Sequence, residues 1–374
     1  MVFIPQVPKN ICNRNVVSVM EFFIRLGNEY MGDVAEIIGG AKVRNEWIRF
    51  LASSFIVFQV TQPFKKHLTI TRAKFGGTQC RIYTPINEYR RSNACIIYIH
   101  GGAWCILKAH HFDYIISTLV KNCGCTIISI NYSLAPDKIF PTSFNECWNA
   151  IEDICEFSYN KLLIDKNKIA IFGDSAGGNI AAALALKSSK TGKNYFKCQI
   201  LVYPVISCLD FQNSSYKQYY EEYNGTGLLN PEGMARWMLL YLGIPASKSN
   251  VNKVLNNQHI SDQLKKDFDL KIECLNGCDE RLSQKFEKFA RNPAFCPLLS
   301  KDIHLLPKTL IITSGFDICR DEGIDYYKKM KECGVDAELK HFPTTFHGIL
   351  NLAGSSMQKS VKGKIVDYCK KHLL

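Results

Sequence analysis

The sequence has no long hydrophobic run. Its most apolar stretch, residues 47–60, is interrupted by an arginine, two serines and a glutamine, and no run of 18 apolar residues occurs among the 374. A helix needs about 20 apolar residues to cross the hydrocarbon core of a bilayer, so the sequence predicts no membrane-spanning segment within this chain. The first residues also lack the pattern of a secretory signal peptide.

Clustered basic residues are missing as well, although the chain is basic. The formal net charge is +12, from 46 Lys and Arg against 34 Asp and Glu, but the cations are dispersed along the sequence. No nucleic-acid-binding motif occurs, which argues against a nucleic-acid partner. We interpret the charge as a solvated basic surface, and a basic side that faces a membrane is the alternative.

The sixteen cysteines show no metal-binding spacing. No C-x-x-C pair has a partner pair, and Cys123, Cys125, Cys274 and Cys278 lack histidines at the distances of a zinc site. Other cysteines fall inside apolar runs that are typical of core elements. The sequence therefore predicts reduced thiols that pack as small hydrophobic side chains, and no bound metal.

Short apolar runs alternate with helical patterns along most of the chain. The predicted strands are 68–74, 80–84, 94–99, 126–132, 168–172, 199–203, 309–313 and 337–342. The predicted helices between and after them are 111–122, 143–157, 176–188, 322–333 and 360–372. Such alternation is typical of an α/β fold, with a mostly parallel central sheet and helices on both faces.

Two segments break the alternation. Residues 1–66 contain helical spacing at 16–38, stopped by a Gly-Gly pair, and a second helix at 44–60; residues 206–300 read as helix and loop. We expect both segments to form a helical cap over a catalytic core made of residues 67–205 and 301–374. The alternatives are a helical layer that only packs on the core, and a surface insertion without a role in the site.

The pentapeptide Gly173–Gly177 fits the G-x-S-x-G pattern. It follows the predicted strand 168–172 and precedes the predicted helix 176–188, which is the context of a nucleophile elbow. Side chains at the two glycines would not fit in so tight a turn. Ser175 would then stand at its tip, beside the positive end of the helix.

A second glycine-containing stretch follows the predicted strand 94–99. Gly101 and Gly102 leave their N–H groups unshielded, and the N–H group of Ala176 follows the nucleophile. These three residues are expected to form an oxyanion hole. We expect His100, at the start of the loop, to hold the loop by hydrogen bonds and to have no catalytic role.

Together these motifs resemble those of a known family. The segments HGGAW (100–104), YSLAP (132–136), GDSAGGN (173–179), D-x-x-RDEG (317–323) and FHG (346–348) are similar to motifs of the hormone-sensitive lipase family of α/β-hydrolases, and most of all to its arylacetamide deacetylase branch. The resemblance covers residues 65–374 and implies the α/β-hydrolase fold. It also implies a carboxylic-ester hydrolase that acts on short- to medium-chain acyl esters, arylacetamides or lipid esters.

Three features depart from that family's pattern. Ala103 replaces a third glycine, and its methyl group would narrow the oxyanion hole. A disulfide found in some members would join Cys105 to a second cysteine at the position where this chain has Ser314, so the sequence leaves open whether Cys105 is paired. An N-terminal membrane anchor of the endoplasmic reticulum, present in the deacetylases, does not occur within this sequence. The expected location is therefore cytoplasmic as the sequence stands, or that membrane if an anchor precedes it.

The positions of the histidines and carboxylates relative to the predicted strands indicate the base and the acid of the site. In α/β-hydrolases they follow the nucleophile in the order acid, then histidine. His347 lies in a loop after the last strand, whereas His341 lies within that strand and His372 near the chain end. Asp317 follows the strand 309–313, and Asp321 is the alternative acid. The predicted triad is therefore Ser175, Asp317 and His347.

The predicted activity is ester hydrolysis through an acyl-enzyme, with no cofactor. The expected partners are small-molecule or lipid esters, with peripheral membrane contact as an option and the oligomeric state left open. The alternative is a ligand-binding receptor on the same scaffold, a function found in relatives that have lost the catalytic histidine. This chain keeps a serine, an acid and a histidine in the expected order.

Overall fold

An eight-stranded sheet forms the centre of the protein. The computed structural model describes residues 7–57, 66–222 and 229–374. The strands are β1 (Leu68–Phe75), β2 (Thr78–Pro85), β3 (Cys95–Ile99), β4 (Thr126–Ile130), β5 (Ile169–Asp174), β6 (Cys198–Val202), β7 (Lys308–Phe316) and β8 (Ala337–Phe346). Their order in the sheet is β1-β2-β4-β3-β5-β6-β7-β8. All eight strands predicted from the sequence are present, with ends that differ by a few residues.

The sheet is parallel from β4 to β8 and antiparallel only at the β1 and β2 edge. β3, β4, β5 and β6 are buried along their whole length, which explains why they appear in the sequence as continuous apolar runs. The carboxyl ends of the parallel strands meet at one edge of the sheet. Residues that directly follow these strands are therefore brought together.

Helices cover both faces of the sheet. One face packs against α4 (Thr142–Glu152) and α5 (Ala176–Lys190), and the other against α3 (Asp113–Cys123) and α12 (Ser356–His372). Side chains of β5 alternate between the two layers, so that Ile171 joins the core with α5 and Phe172 the core with α12. The predicted α/β-hydrolase layering is confirmed.

The amino-terminal segment is helical, as predicted. It comprises α1 (Arg14–Arg25), a six-residue π-helical turn and α2 (Gly32–Val57). Gly39 and Gly40 have non-helical backbone angles and kink α2 at the predicted break. The end of the predicted helix 44–60, beyond residue 57, lies outside the described residues. Among those described, every helix is too short or too polar to traverse a lipid bilayer.

Between β6 and β7, the described residues contain five α-helices. They are α6 (Ser214–Glu221), α7 (Pro231–Tyr241), α8 (Lys248–Leu255), α9 (Asp262–Phe268) and α10 (Glu280–Ala290), and α11 (Arg320–Glu332) follows β7. Asparagine, serine or aspartate side chains cap the start of each of the first five, which fixes where they begin. The insertion is thus a folded helical unit.

Candidate active site

Ser175 occupies a sharp turn between β5 and α5. Its backbone angles, φ 54° and ψ −126°, are rare for a residue with a side chain, and its N–H group donates to Val202 O at 3.0 Å. A Cβ atom on Gly173 would come within 2.3 Å of Gly177 O, and one on Gly177 within 2.1 Å of Ile99 O. The two glycines are therefore required by close backbone approach, as expected for the elbow.

Ser175, His347 and Asp317 form one continuous hydrogen-bonded chain. Ser175 Oγ lies 2.7 Å from His347 Nε2, and His347 Nδ1 lies 3.0 Å from both carboxylate oxygens of Asp317. Asp317 directly follows β7 and His347 directly follows β8, so the parallel pairing of these strands places them together. The structure thus brings together the three residues that the sequence analysis selected.

The carboxylate of Asp317 is enclosed by protein. Its side chain has no exposed surface, and Oδ1 also accepts a hydrogen bond from Cys319 N–H at 2.8 Å. The ring of Tyr203, which directly follows β6, lies 4.8 Å from the ring of His347, centroid to centroid. These neighbours leave the imidazole little freedom to rotate. Cys319 and Tyr203 were not identified from the sequence, since no motif distinguishes them.

His341 and Asp321, which the sequence analysis compared with His347 and Asp317, have other partners. His341 Nδ1 lies 3.0 Å from the hydroxyl of Thr313 within the sheet. Asp321 accepts a hydrogen bond from Ser215 N–H at 2.8 Å and pairs with Arg320 at 2.9 Å, which ties α6 to α11. Neither residue contacts the hydrogen-bonded chain described above.

Asp174 anchors the glycine loop that faces the elbow. Its Oδ1 accepts hydrogen bonds from the Tyr98 hydroxyl at 2.6 Å and from Gly101 N–H at 2.9 Å. Burial raises the pKa of Asp174 to about 6, while these two hydrogen bonds oppose the increase. Asp174 therefore connects the elbow to the loop after β3.

The expectation for Gly101 needs correction. Because its N–H group donates to Asp174, it is not free to bind an oxyanion in this conformation. The next two residues have positive φ angles, 115° at Gly102 and 50° at Ala103, and a Cβ atom on Gly102 would lie 2.1 Å from Ile106 O. Within the described residues, the N–H groups of Gly102, Ala103 and Ala176 have no hydrogen-bond partner.

His100 is a buried part of the same loop. Its ring stacks on Tyr132 with centroids 4.2 Å apart, and Nδ1 lies 2.9 Å from Gly101 O. Ser175 Oγ has His347 as its histidine partner, so the structural role expected for His100 agrees with this geometry. Burial lowers the pKa of His100 to about 4, so the folded protein keeps this imidazole neutral.

We expect His100 to make the fold sensitive to acid. A histidine whose pKa falls from 6.5 to about 4 on folding contributes stability above pH 6.5 that is lost as the pH falls toward 4. This corresponds to about 2 kcal/mol less unfolding free energy at pH 5 than at pH 7.5. Urea unfolding at the two pH values measures the difference. His100→Asn should reduce it, and an unchanged pH dependence in this variant would contradict the prediction.

Cys319 adds a third possible ligand atom to the site. Its sulfur, a carboxylate oxygen of Asp317 and a ring nitrogen of His347 lie within 4.8 Å of one another. Burial and the nearby carboxylate of Asp317 raise the pKa of Cys319 well above its usual range, and metal ligation needs the thiolate. Since Asp317 and His347 already bind each other, this group fits a hydrogen-bonded chain better than a metal site.

All sixteen cysteines are free thiols. Cys105 Sγ lies 3.7 Å from Trp237 O, and Ser314 Oγ accepts a hydrogen bond from the Thr345 hydroxyl. Cys105 is therefore unpaired, which answers the question that the sequence left open. It packs as a buried apolar side chain next to Trp104, whose ring stacks on Tyr241 at 4.7 Å.

Helices from both additional segments reach the loop after β3. Arg49 of α2 donates to Cys105 O and Ala135 O, each at 2.7 Å, and forms an ion pair with Asp137. Arg236 of α7 pairs with Glu36 of α2 at 2.9 Å, so the two segments also contact each other. The role of Arg49 was not predicted from the sequence, because its partners lie 56 and 86 positions away along the chain.

Comparisons with known proteins agree with this geometry. A family model described as alpha/beta hydrolase fold matches residues 96–268 and 256–351. Arylacetamide deacetylase of Mus musculus is 29% identical over 379 residues, covering 94% of this chain and 91% of the relative. Neutral cholesterol ester hydrolase 1 of Mus musculus is 30% identical over 312 residues, covering 75% of this chain and 74% of the relative.

A solved structure supports the same fold. A thermostable carboxylesterase from a metagenomic library superposes with a TM-score of 0.70 at 23% identity, over 88% of this chain and 98% of that chain. At this identity the likeness concerns the fold. Taken with the family match and the two relatives, it places the chain in the α/β-hydrolase fold family, in the hormone-sensitive lipase group, as a carboxylic-ester hydrolase.

Proposed function

We propose that this protein hydrolyses carboxylic esters through a Ser-His-Asp triad and an acyl-enzyme. The observation that carries the proposal is the hydrogen-bonded chain from Ser175 Oγ through His347 to Asp317. A serine hydroxyl is a weak nucleophile unless a positioned base takes its proton, and the base needs a carboxylate to orient it. These three residues have the order and geometry for those roles.

The proposed reaction has two halves. Ser175 Oγ attacks the carbonyl carbon of the ester while His347 Nε2 takes the hydroxyl proton. His347 then gives that proton to the leaving alcohol as the C–O bond breaks, and an acyl-Ser175 ester remains. In the second half, water attacks the acyl carbonyl carbon while His347 takes its proton; the bond to Ser175 Oγ then breaks, His347 returns the proton to Oγ, and the carboxylic acid leaves. Asp317 stabilises the imidazolium form in both halves, and no cofactor takes part.

The proposed oxyanion hole consists of the N–H groups of Gly102, Ala103 and Ala176. The first and last of these were expected from the sequence, and Ala103 takes the place of Gly101. Support comes from their lack of hydrogen-bond partners within the described residues and from the position of Ala176 at the start of α5. The positive end of that helix dipole also favours negative charge beside Ser175.

We further propose that residues 1–66 and 206–300 form a cap over the site, on a core of 67–205 and 301–374. The contacts of Arg49 with the loop after β3 and the ion pair between Arg236 and Glu36 support this division. Residues 1–6, 58–65 and 223–228 of the cap lie outside the described part. The cap would set the size of the acyl and alcohol groups that the site accepts.

The proposed substrates are acyl esters of short to medium chain length, arylacetamides or lipid esters. The names of the two curated relatives indicate an arylacetamide and a cholesterol ester as substrates of those proteins. Both substrate types present a carbonyl group next to a bulky apolar group. A membrane contact would serve a lipid ester and would be dispensable for a soluble one.

Two assays with the full chain test the proposal. We expect a serine-directed fluorophosphonate to add one equivalent of label at Ser175, located by mass spectrometry of peptides. Hydrolysis of p-nitrophenyl esters from acetate to palmitate should show a burst of p-nitrophenol if the acyl-enzyme accumulates, and the chain-length profile separates short-chain esterase from lipid hydrolase. Absence of both labelling and turnover would instead favour a ligand-binding receptor.

A further inference from the structure

A groove with no role in the proposed reaction lies between α12 and the end of α3. Its volume is about 410 Å³. Arg91 on its wall donates its backbone N–H to Gly124 O, and these residues shortly precede β3 and β4. The groove therefore lies where the parallel strands begin, whereas Ser175, Asp317 and His347 follow the carboxyl ends of their strands. The groove and these three residues are thus at opposite ends of the strands, and the groove is a separate site.

The groove is lined by four cations and one acid. Lys359, Lys362 and Lys370 lie along one side of α12, at spacings of three and eight residues that keep them on the same helix face. Arg91 approaches from the other wall and donates from its side chain to Asn122 O at 3.3 Å. Asp367 is the acidic residue of the lining. The lining thus has a net charge of +3, from four cations and one carboxylate.

These four cations have no carboxylate partner among the described residues. Other lysines of the chain are paired, for example Lys364 of the same helix with Glu338 and Lys308 with Asp336. Unpaired lysines occur elsewhere on this basic chain, so the groove is distinguished by the four unpaired cations that it brings together around one cavity. An anion between the four cations would reduce their mutual repulsion.

Lys362 is the most enclosed of the four cations. Only 7% of its surface is exposed, and its Nζ lies 5.9 Å from the centre of the Tyr114 ring. Burial, and then the charge of Lys359, lower the pKa of Lys362. An anion in the groove would offset the repulsion between Lys362 and Lys359.

We propose that this groove binds a phosphate-bearing anion through Lys359, Lys362, Lys370 and Arg91. Its volume is in the range of sites for small ligands, and several cations around one cavity suit a group with more than one negative charge. Lysines bind phosphate as point charges, and the arginine adds paired donors. The anion is either a free phosphorylated compound or the phosphorylated headgroup of a lipid.

Binding of inorganic pyrophosphate, measured by isothermal titration calorimetry, tests the site. We expect the variant with Lys359→Gln, Lys362→Met and Lys370→Gln to bind at least about tenfold more weakly than the wild type. Methionine keeps the apolar stem of Lys362, so the packing of α12 is maintained. Lys364→Gln removes one charge from the same helix outside the groove and should bind as the wild type does. Thermal unfolding of all variants verifies that they fold.

Vesicles distinguish the two sources of phosphate. Sedimentation compares vesicles of phosphatidylcholine alone with vesicles that contain about 5 mol% phosphatidylinositol 4,5-bisphosphate. Binding that needs this lipid and is lost in the triple variant identifies a lipid headgroup, whereas pyrophosphate binding without vesicle binding identifies a free anion. If the wild type binds neither probe, or the folded triple variant binds them as well as the wild type, the proposal is wrong. Ester hydrolysis should be unchanged in the triple variant, so this outcome is independent of the proposed reaction.

Discussion

Replacement of Ser175 by alanine is expected to lower kcat for p-nitrophenyl acetate by at least about 10⁴-fold. The Oγ atom that lies 2.7 Å from His347 Nε2 would be missing, and with it the bond to the acyl group. Residual activity would come from water attacking an ester that the oxyanion hole still polarises. KM should change little, because alanine leaves the pocket walls in place. Steady-state kinetics of purified wild type and variant measure the effect.

Ser360→Ala is a suitable control. Ser360 is exposed on α12, and its hydroxyl donates to Ser356 O within the helix. Its removal should leave kcat unchanged and the unfolding free energy within about 0.5 kcal/mol. If Ser175→Ala retained most of the activity while it folded normally, another nucleophile would have to act and the triad assignment would fail.

The sheet was predictable because its strands differ so clearly from their surroundings. β3, β4, β5 and β6 are buried on both faces, so each is an uninterrupted apolar segment next to a polar or glycine-containing turn. Asp317 and His347 could be selected for the same reason. Each directly follows such a strand, and parallel strands place their following residues at one edge.

The oxyanion loop was harder to predict, because its geometry depends on a long-range contact. Sequence shows that Gly101 and Gly102 follow a strand, but not that Asp174 accepts the N–H group of the first of them. That hydrogen bond joins residues 73 positions apart. The contact of Tyr203 with His347 and the cation groove along α12 also depend on elements that meet only in the folded protein. Patterns among neighbouring residues of the sequence do not predict such long-range contacts.

Asp317→Asn is expected to lower kcat by about 10⁴-fold. An asparagine retains the size of the side chain and one oxygen acceptor. Its amide group, however, presents N–H donors toward His347 Nδ1 at the place where both carboxylate oxygens now lie at 3.0 Å. The imidazole would then favour the tautomer with its proton on Nε2, which cannot accept the proton of Ser175. The imidazolium formed during the reaction would also lose its counter-charge. The kinetics of p-nitrophenyl acetate hydrolysis measure the loss.

Asp321→Asn is the matched control, since it makes the same chemical change four residues further on. Asp321 accepts the Ser215 N–H group and pairs with Arg320, contacts that connect α6 with α11 away from the hydrogen-bonded chain. An asparagine can still accept from Ser215, so we expect kcat within a few-fold of the wild type and a small loss of unfolding free energy, about 1 kcal/mol. The reverse result, a severe loss in Asp321→Asn with an active Asp317→Asn, would make Asp321 the acid of the triad. A pH–rate profile adds a second criterion, because in Asp317→Asn activity should rise at high pH as hydroxide replaces the missing base.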